Sequence, residues 1–188
     1  MIPVAFYDAC VLFPPSLRDF LVWLAIHGAC RARWSEAIHD EWIRNVLVHR
    51  PTVRKASLDR CRELMDRNVP DSVVTGYEGI IPGLELPDPD DRHVLAAAIH
   101  GGAGWIITFN LKDFPIASLH PHQMEALHPD DFVCQLMDNT PELVCLSARR
   151  QRELLKSPPK SVDEHLSTLE NVGLVQTVAR LRAFADLI

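Results

Sequence analysis

The stretch Leu86–Pro115, LPDPDDRHVLAAAIHGGAGWIITFNLKDFP, constrains the fold more than any other part of the chain. It opens with Asp88, Asp90 and Asp91, with Pro89 between the first two. An apolar helical run follows, from Val94 to Ile99. Gly101 and Gly102 end it, because glycine enters the left-handed cap conformation without steric cost. Trp105-Ile106-Ile107-Thr108 then reads as a short buried strand. Asn110 and Asp113 come directly after that strand, ahead of Phe114 and Pro115. In α/β folds ligands bind beyond the carboxyl ends of strands. Acids at a helix start and past a strand end are therefore placed to meet at one rim.

Two further acids are candidates for the same rim. Val4-Ala5-Phe6-Tyr7 reads as the first strand, and Asp8 ends it. Asp8 is either a rim acid or the cap of a turn, and the spacing leaves both open. A helix is expected from Ser35, with Ile38, Trp42 and Val46 on one face, widened by Ile43 and Leu47. It carries Glu36, Asp40 and Glu41, and periodicity does not choose among them. Glu41 neighbours Ile38 and Asn45 at i−3 and i+4, so it borders the apolar stripe.

Oxygen ligands drawn from distant parts of a chain suit a hard cation such as Mg²⁺ or Mn²⁺. Carboxylates packed together without a cation repel, and their pKa values are forced apart. The five cysteines are odd in number and hold no CxxC pair, which argues against a disulfide framework or a zinc knuckle. His120, His122 and His128 lack the helical spacing of a metal site. The net charge of −6 argues against tight, non-specific binding of duplex DNA. It leaves room for a nuclease whose acids are offset by a bound cation.

DPDDRHVLAAAI followed by ITFNLKDFP resembles the C-terminal half of a PIN domain, the fold of the VapC-type toxin ribonucleases. The resemblance covers about residues 1–138. It implies an α/β/α sandwich with a central, mainly parallel sheet, here with a helical C-terminal extension over 139–188. It also implies a metal-dependent endoribonuclease whose acids hold Mg²⁺ or Mn²⁺, leaving 5′-phosphate and 3′-hydroxyl ends. The first strand ending in an Asp matches at Asp8, and the S-x-x-I-x-x-E-W run matches at Glu41. Asp91 is the third acid by its spacing to Gly102, with Asp90 in reserve, and Asp88 is assigned to the turn at Pro89. Many PIN domains have T-x-D where this chain has Thr108-Phe109-Asn110. Asn110 can coordinate through its carbonyl or hold a metal-bound water but brings no charge, so Asp113 becomes the fourth carboxylate. Asp→Asn changes at Asp8, Asp91 and Asp113 are expected to abolish cleavage and barely alter packing. The toxin reading implies an RNA substrate, an antitoxin partner and a homodimer. The alternatives are a stand-alone RNA-processing nuclease and a non-catalytic PIN-like binding module.

Phosphatases of the haloacid-dehalogenase type need a second Asp two residues after the first, where this chain has Cys10. A dinucleotide fold needs a Gly-rich first turn, where this chain has Asp8-Ala9-Cys10. The chain has no apolar run long enough to span a bilayer, and its N-terminal segment lacks the basic start of a signal peptide. A cytoplasmic protein is expected.

Elsewhere, Ser16 with Asp19, and Ser161 with Glu164, read as capping boxes. Val53–Asn68 reads as a charged helix; with Arg44, His49 and Arg50 it forms the densest basic segment, either a solvated face or a phosphate-contacting edge. Val73-Val74-Thr75 reads as a second strand and Gly76–Pro87 as a loop. In the tail, Leu174, Val178, Leu181 and Phe184 form an apolar stripe for a partner or for the chain's own core.

Overall fold

A parallel sheet needs crossover helices on its faces, so its strands are buried on both sides and read as apolar runs. The computed structural model describes residues 2–188 and has this architecture. Strands β1 (Val4–Tyr7), β2 (Arg31–Ser35), β3 (Val73–Val74), β4 (Trp105–Ile107) and β5 (Glu125–Leu127) form one sheet in the order β3-β2-β1-β4-β5. Each of its four pairings is parallel. Ala5, Phe6, Tyr7, Ala32, Trp34, Ile106 and Ile107 are buried along it.

The helices in chain order are α1 (Ala9–Leu12), α2 (Pro15–Ile26), α3 (Glu36–His49), α4 (Lys55–Asn68), α5 (Arg92–His100), α6 (Ile116–Leu119), α7 (Pro129–Asn139), α8 (Pro141–Leu154), α9 (Val162–Glu170) and α10 (Val175–Leu181). They flank the sheet as an α/β/α sandwich. Among the described residues, no helix is long and apolar enough to cross a membrane.

The sequence reading places β1, β3, β4 and most helices correctly. It misses β2, because Arg31 and Arg33 interrupt the apolar run although Ala32 and Trp34, which alternate with them, are buried. It also misses β5, which is only three residues long. The expected loop over 76–87 contains a 3₁₀ turn at Glu78–Gly83. Gly101 has a packing reason beyond the cap: a Cβ there would lie 2.9 Å from Val74 Cγ2, so the end of α5 sits directly on β3.

The capping box expected at Ser16 does not form. Pro14 takes the cap position and Pro15 the first helical position, which moves Ser16 inside α2. The box at Ser161 does form: its N–H donates to Glu164 Oε2 at 2.8 Å, and its Oγ accepts the Glu164 N–H at 3.2 Å. All five cysteines are free.

The tail packs onto the rest of the chain. Leu174, Val178 and Leu181 are fully buried, and only Phe184 of that stripe is exposed. The partner-binding reading of the stripe is therefore replaced by a core role. Two polar residues in α8 are buried with partners. Ser147 Oγ donates to the Leu143 carbonyl at 2.7 Å and lies 2.9 Å from His27 Nδ1. Gln151 Nε2 donates to the Ser16 carbonyl at 2.8 Å.

His165 in α9 is 1% exposed, and neither ring nitrogen makes a well-formed hydrogen bond. Burial first, then the charges of Lys160 and Arg152, lower its pKa from the ordinary 6.5 to about 4; the Ala148 carbonyl opposes this only weakly. A depressed folded-state value means the unfolded chain binds the proton more tightly. The stability held by the neutral ring is thus complete above pH 6.5 and is lost as pH falls toward 4. His165→Leu is expected to flatten the fall in melting temperature between pH 7 and pH 4.5. An unchanged pH dependence in the variant overturns this assignment.

Candidate metal centre

From β1 the chain builds outward to β2 and β3, then returns to β1's other side for β4 and β5. The order reverses between β1 and β4, and the crevice beyond their carboxyl ends is where an α/β sheet places a ligand. Asp8 directly follows β1, and Thr108-Phe109-Asn110 directly follow β4. β2 ends at Ser35, whose Oγ accepts the Ile38 N–H at 3.3 Å and starts α3. Glu41 lies under two turns further along that helix. Asp91 ends a 3₁₀ turn at Pro89–Asp91 and stands at the start of α5.

Asp8 is 5% exposed and heavily anchored. Its Oδ1 accepts the Ala9 N–H at 2.6 Å, so it caps α1. Its Oδ2 accepts the Thr108 hydroxyl at 2.7 Å and the Cys10 thiol at 3.1 Å. The turn-cap and rim readings of Asp8 thus describe one side chain. Thr108 Oγ1 also accepts the Asn110 N–H at 3.0 Å, and Cys10 Sγ accepts the Phe109 N–H at 3.3 Å. These bonds tie the ends of β1 and β4 together. Burial, then the charge of Asp8, pushes the Cys10 thiol up to about 12, so it stays protonated and donates.

The Asp91 carboxyl is pushed up to about 7, first by burial and then by the charges of Asp8, Asp88, Asp113 and Glu41. Glu41 is raised by burial and by Asp8, while Arg44 lowers it. Asp8, Glu41, Asp91 and Asp113 come from four separate chain segments; the charges of Asp8, Glu41 and Asp113 all act on Asp91, and that of Asp8 acts on Glu41. Asp88 Oδ1 accepts the Asp90 N–H at 2.9 Å, as a turn residue does. Asp90 and Asn110 are exposed.

Counting acids overlooked His93, in the first turn of α5 two residues after Asp91. Its Nε2 lies 3.8 Å from Glu41 Oε2, and its Nδ1 is buried without a partner. Burial lowers its pKa against the charges of Asp8 and Asp90. Thr108 and Cys10 were legible only as spacing; their hydrogen bonds to Asp8 span the fold.

Among the described residues, no group of three or more His, Cys, Asp and Glu is close enough to hold a metal ion by direct ligation. The donor set still fits a hydrated hard cation. Mg²⁺ keeps several waters and takes one or two carboxylates directly. Beside burial, the charges of the neighbouring acids raise Asp91, and a cation would relieve that repulsion.

The chain also resembles known proteins in two parts. The tail matches the model of the VapC50 C-terminal domain over residues 129–183. In Mycobacterium tuberculosis strain H37Rv, the protein named "Putative ribonuclease VapC50" is 56% identical over 63 residues, which is 34% of this chain. That match spans 37% of the relative's own length. No solved structure matches. The PIN domain model matches residues 5–112, which include β1 through β4 with Asp8, Glu41 and Asp91 and stop one residue short of Asp113. The match covers more than half of the chain and agrees with the parallel sheet, so the chain belongs to the PIN domain family.

Proposed function

We propose that this protein is a metal-dependent endoribonuclease of the VapC type, the toxin of a toxin–antitoxin pair, with Asp8, Glu41, Asp91 and Asp113 holding Mg²⁺ or Mn²⁺. The observation that carries this reading is the convergence of four acids near the sheet's switch point, where the charges of the other three add to burial in raising Asp91 to about 7. The relative named as a ribonuclease and the VapC50 C-terminal match support the substrate class and the toxin role. RNA is the substrate, and an antitoxin is the regulating partner.

When bound, the cation neutralises phosphate charge and makes a water a better nucleophile at neutral pH. The chain's own contribution is to hold the acids. Asp8 is fixed by its bonds from Ala9, Thr108 and Cys10, so its position does not depend on the cation. Asp91 gives up its proton near pH 7 to receive positive charge. Arg44 stabilises the ionised form of Glu41.

Thermal melting with Mn²⁺, beside cleavage of single-stranded RNA, tests the reading. At about 100-fold excess over its dissociation constant, a bound cation adds roughly 2.7 kcal/mol. In a chain of this size that raises the melting temperature on the order of 5–10 °C. The gain should be larger at pH 8 than at pH 6, because the acids must be ionised to receive the ion. An unchanged melting temperature at millimolar Mn²⁺, with no RNA cleavage, rejects the reading.

A further inference from the structure

A groove of about 360 Å³ lies between α3 and α4, lined by Ile43, Arg44, Leu47, Val48, Lys55 and Arg62 together with two acids, Asp40 and Asp59. On α3 its lining runs from Asp40, the residue before Glu41, to Val48. Its wall includes Ile43, Leu47 and Val48, and Val48 is 70% exposed. The charges around that wall cancel in pairs. Lys55 Nζ lies 2.7 Å from Asp59 Oδ1, and Arg62 lies 3.3 Å from Asp40 while also pairing with Glu36. The basic helix α4 therefore spends several of its cations on its own neighbours. Arg44 differs. It is exposed and, among the described residues, makes neither an ion pair nor a side-chain hydrogen bond, although it acts on Glu41.

An apolar wall beside one uncommitted guanidinium suits a nucleotide. Apolar side chains cover a base face, and the guanidinium takes a phosphate in fork geometry. A single surplus cation does not suit a duplex, whose two backbones call for several phosphate contacts. We infer that the α3–α4 groove is the subsite for the nucleotide flanking the cut in a single-stranded RNA, with Arg44 on its phosphate. This rests on the ribonuclease reading and adds where the substrate lies relative to the acids: it runs along α3, from Glu41 toward Val48.

The test is cleavage of a mixed-sequence single-stranded RNA oligonucleotide in Mn²⁺ at several salt concentrations. Wild type, Arg44→Gln and Val48→Glu are compared. Arg44→Gln should lower kcat/KM about tenfold, mostly through KM, the loss of one charge-assisted hydrogen bond. It should also flatten the log–log salt dependence by about 0.7, the value for one single-strand phosphate contact. Val48→Glu places an anion on an exposed part of the wall and should likewise raise KM. Val48→Glu should keep the wild-type gain in melting temperature with Mn²⁺, and Arg44→Gln should keep most of it, losing only the help Arg44 gives Glu41. If both cleave as wild type does, with the same salt slope, the subsite is overturned and the groove is a docking face for protein. If Arg44→Gln also loses the Mn²⁺ response, Arg44 serves the metal centre and the subsite is overturned. A wild type that does not cleave RNA overturns the ribonuclease reading and the subsite with it.

Discussion

Asp91→Asn is expected to lower RNA cleavage at least 100-fold while the metal-free protein melts no lower than wild type. Removing a group that only supports a metal ligand costs about 10- to 100-fold, so losing a carboxylate proposed to hold the cation should cost at least as much. The stability side follows from the carboxyl's burial and then its position among Asp8, Asp88, Asp113 and Glu41, which together push it up to about 7 from the ordinary 3.8. A raised folded-state value means the folded protein holds this proton more tightly than the unfolded chain does. Ionised Asp91 therefore weakens the metal-free fold progressively as pH rises from 3.8 to about 7. Asn cannot ionise, so the variant's advantage over wild type should be absent below pH 4 and complete above pH 7. Added Mn²⁺ should reverse the ranking, because wild type gains more from the ion. Asp88→Asn is the control, since an amide oxygen can still accept the Asp90 N–H, and it should keep most activity. A dead Asp88→Asn beside an active Asp91→Asn would show the wrong acid was chosen.

Asp8→Asn is a less clean test than the sequence implied. Asp8 is buried, and both its oxygens accept hydrogen bonds, from Ala9 on one side and from Thr108 and Cys10 on the other. An amide supplies one acceptor and turns an NH₂ toward one of these partners. The expectation that packing barely changes therefore does not hold for Asp8. Its variant should lose stability as well as activity, and activity loss alone cannot assign its role.

That difference shows where the sequence is informative. Strands β1 and β4 were legible because VAFY and WII are unbroken apolar runs, and α5 because two glycines follow its apolar stretch. β2 was not, because its register in the sheet buries Ala32 and Trp34 while Arg31 stays exposed and Arg33 half-buried. Local hydropathy sees the arginines, whereas the burial depends on β1 lying alongside. The acids were legible as residue types at element ends. Their supporting bonds were not, since Thr108 and Asp8 are a hundred positions apart and meet only once β1 and β4 pair. The sequence left the basic segment between a solvated face and a phosphate edge. Ion pairs within and around α4 occupy Lys55, Arg60 and Arg62, while Arg44 makes none among the described residues.

Asp130→Ala is expected to destabilise the fold by about 3–5 kcal/mol, read as a lower denaturant midpoint at unchanged slope. Asp130 lies in the first turn of α7. In the fold it is 4% exposed and reaches across to the tail. Its Oδ2 accepts the Gln176 N–H and its Oδ1 the Thr177 N–H, both at 2.8 Å, at the start of α10. Each is a charge-assisted bond of roughly 1.5–3 kcal/mol, and alanine leaves both donors without that acceptor. Asp130→Asn keeps one acceptor oxygen and should lose about half as much. The effect should extend to the rim. Gly173, just before α10, sits where an added Cβ would lie 3.4 Å from the Phe109 ring, and the Phe109 N–H donates to Cys10 beside Asp8. Loosening α10 removes the backing of that loop. The Mn²⁺-induced gain in melting temperature should therefore shrink in Asp130→Ala as overall stability falls. A midpoint equal to wild type would show that the tail does not depend on this carboxylate. A lowered midpoint with an undiminished Mn²⁺ response would confine its role to holding the tail.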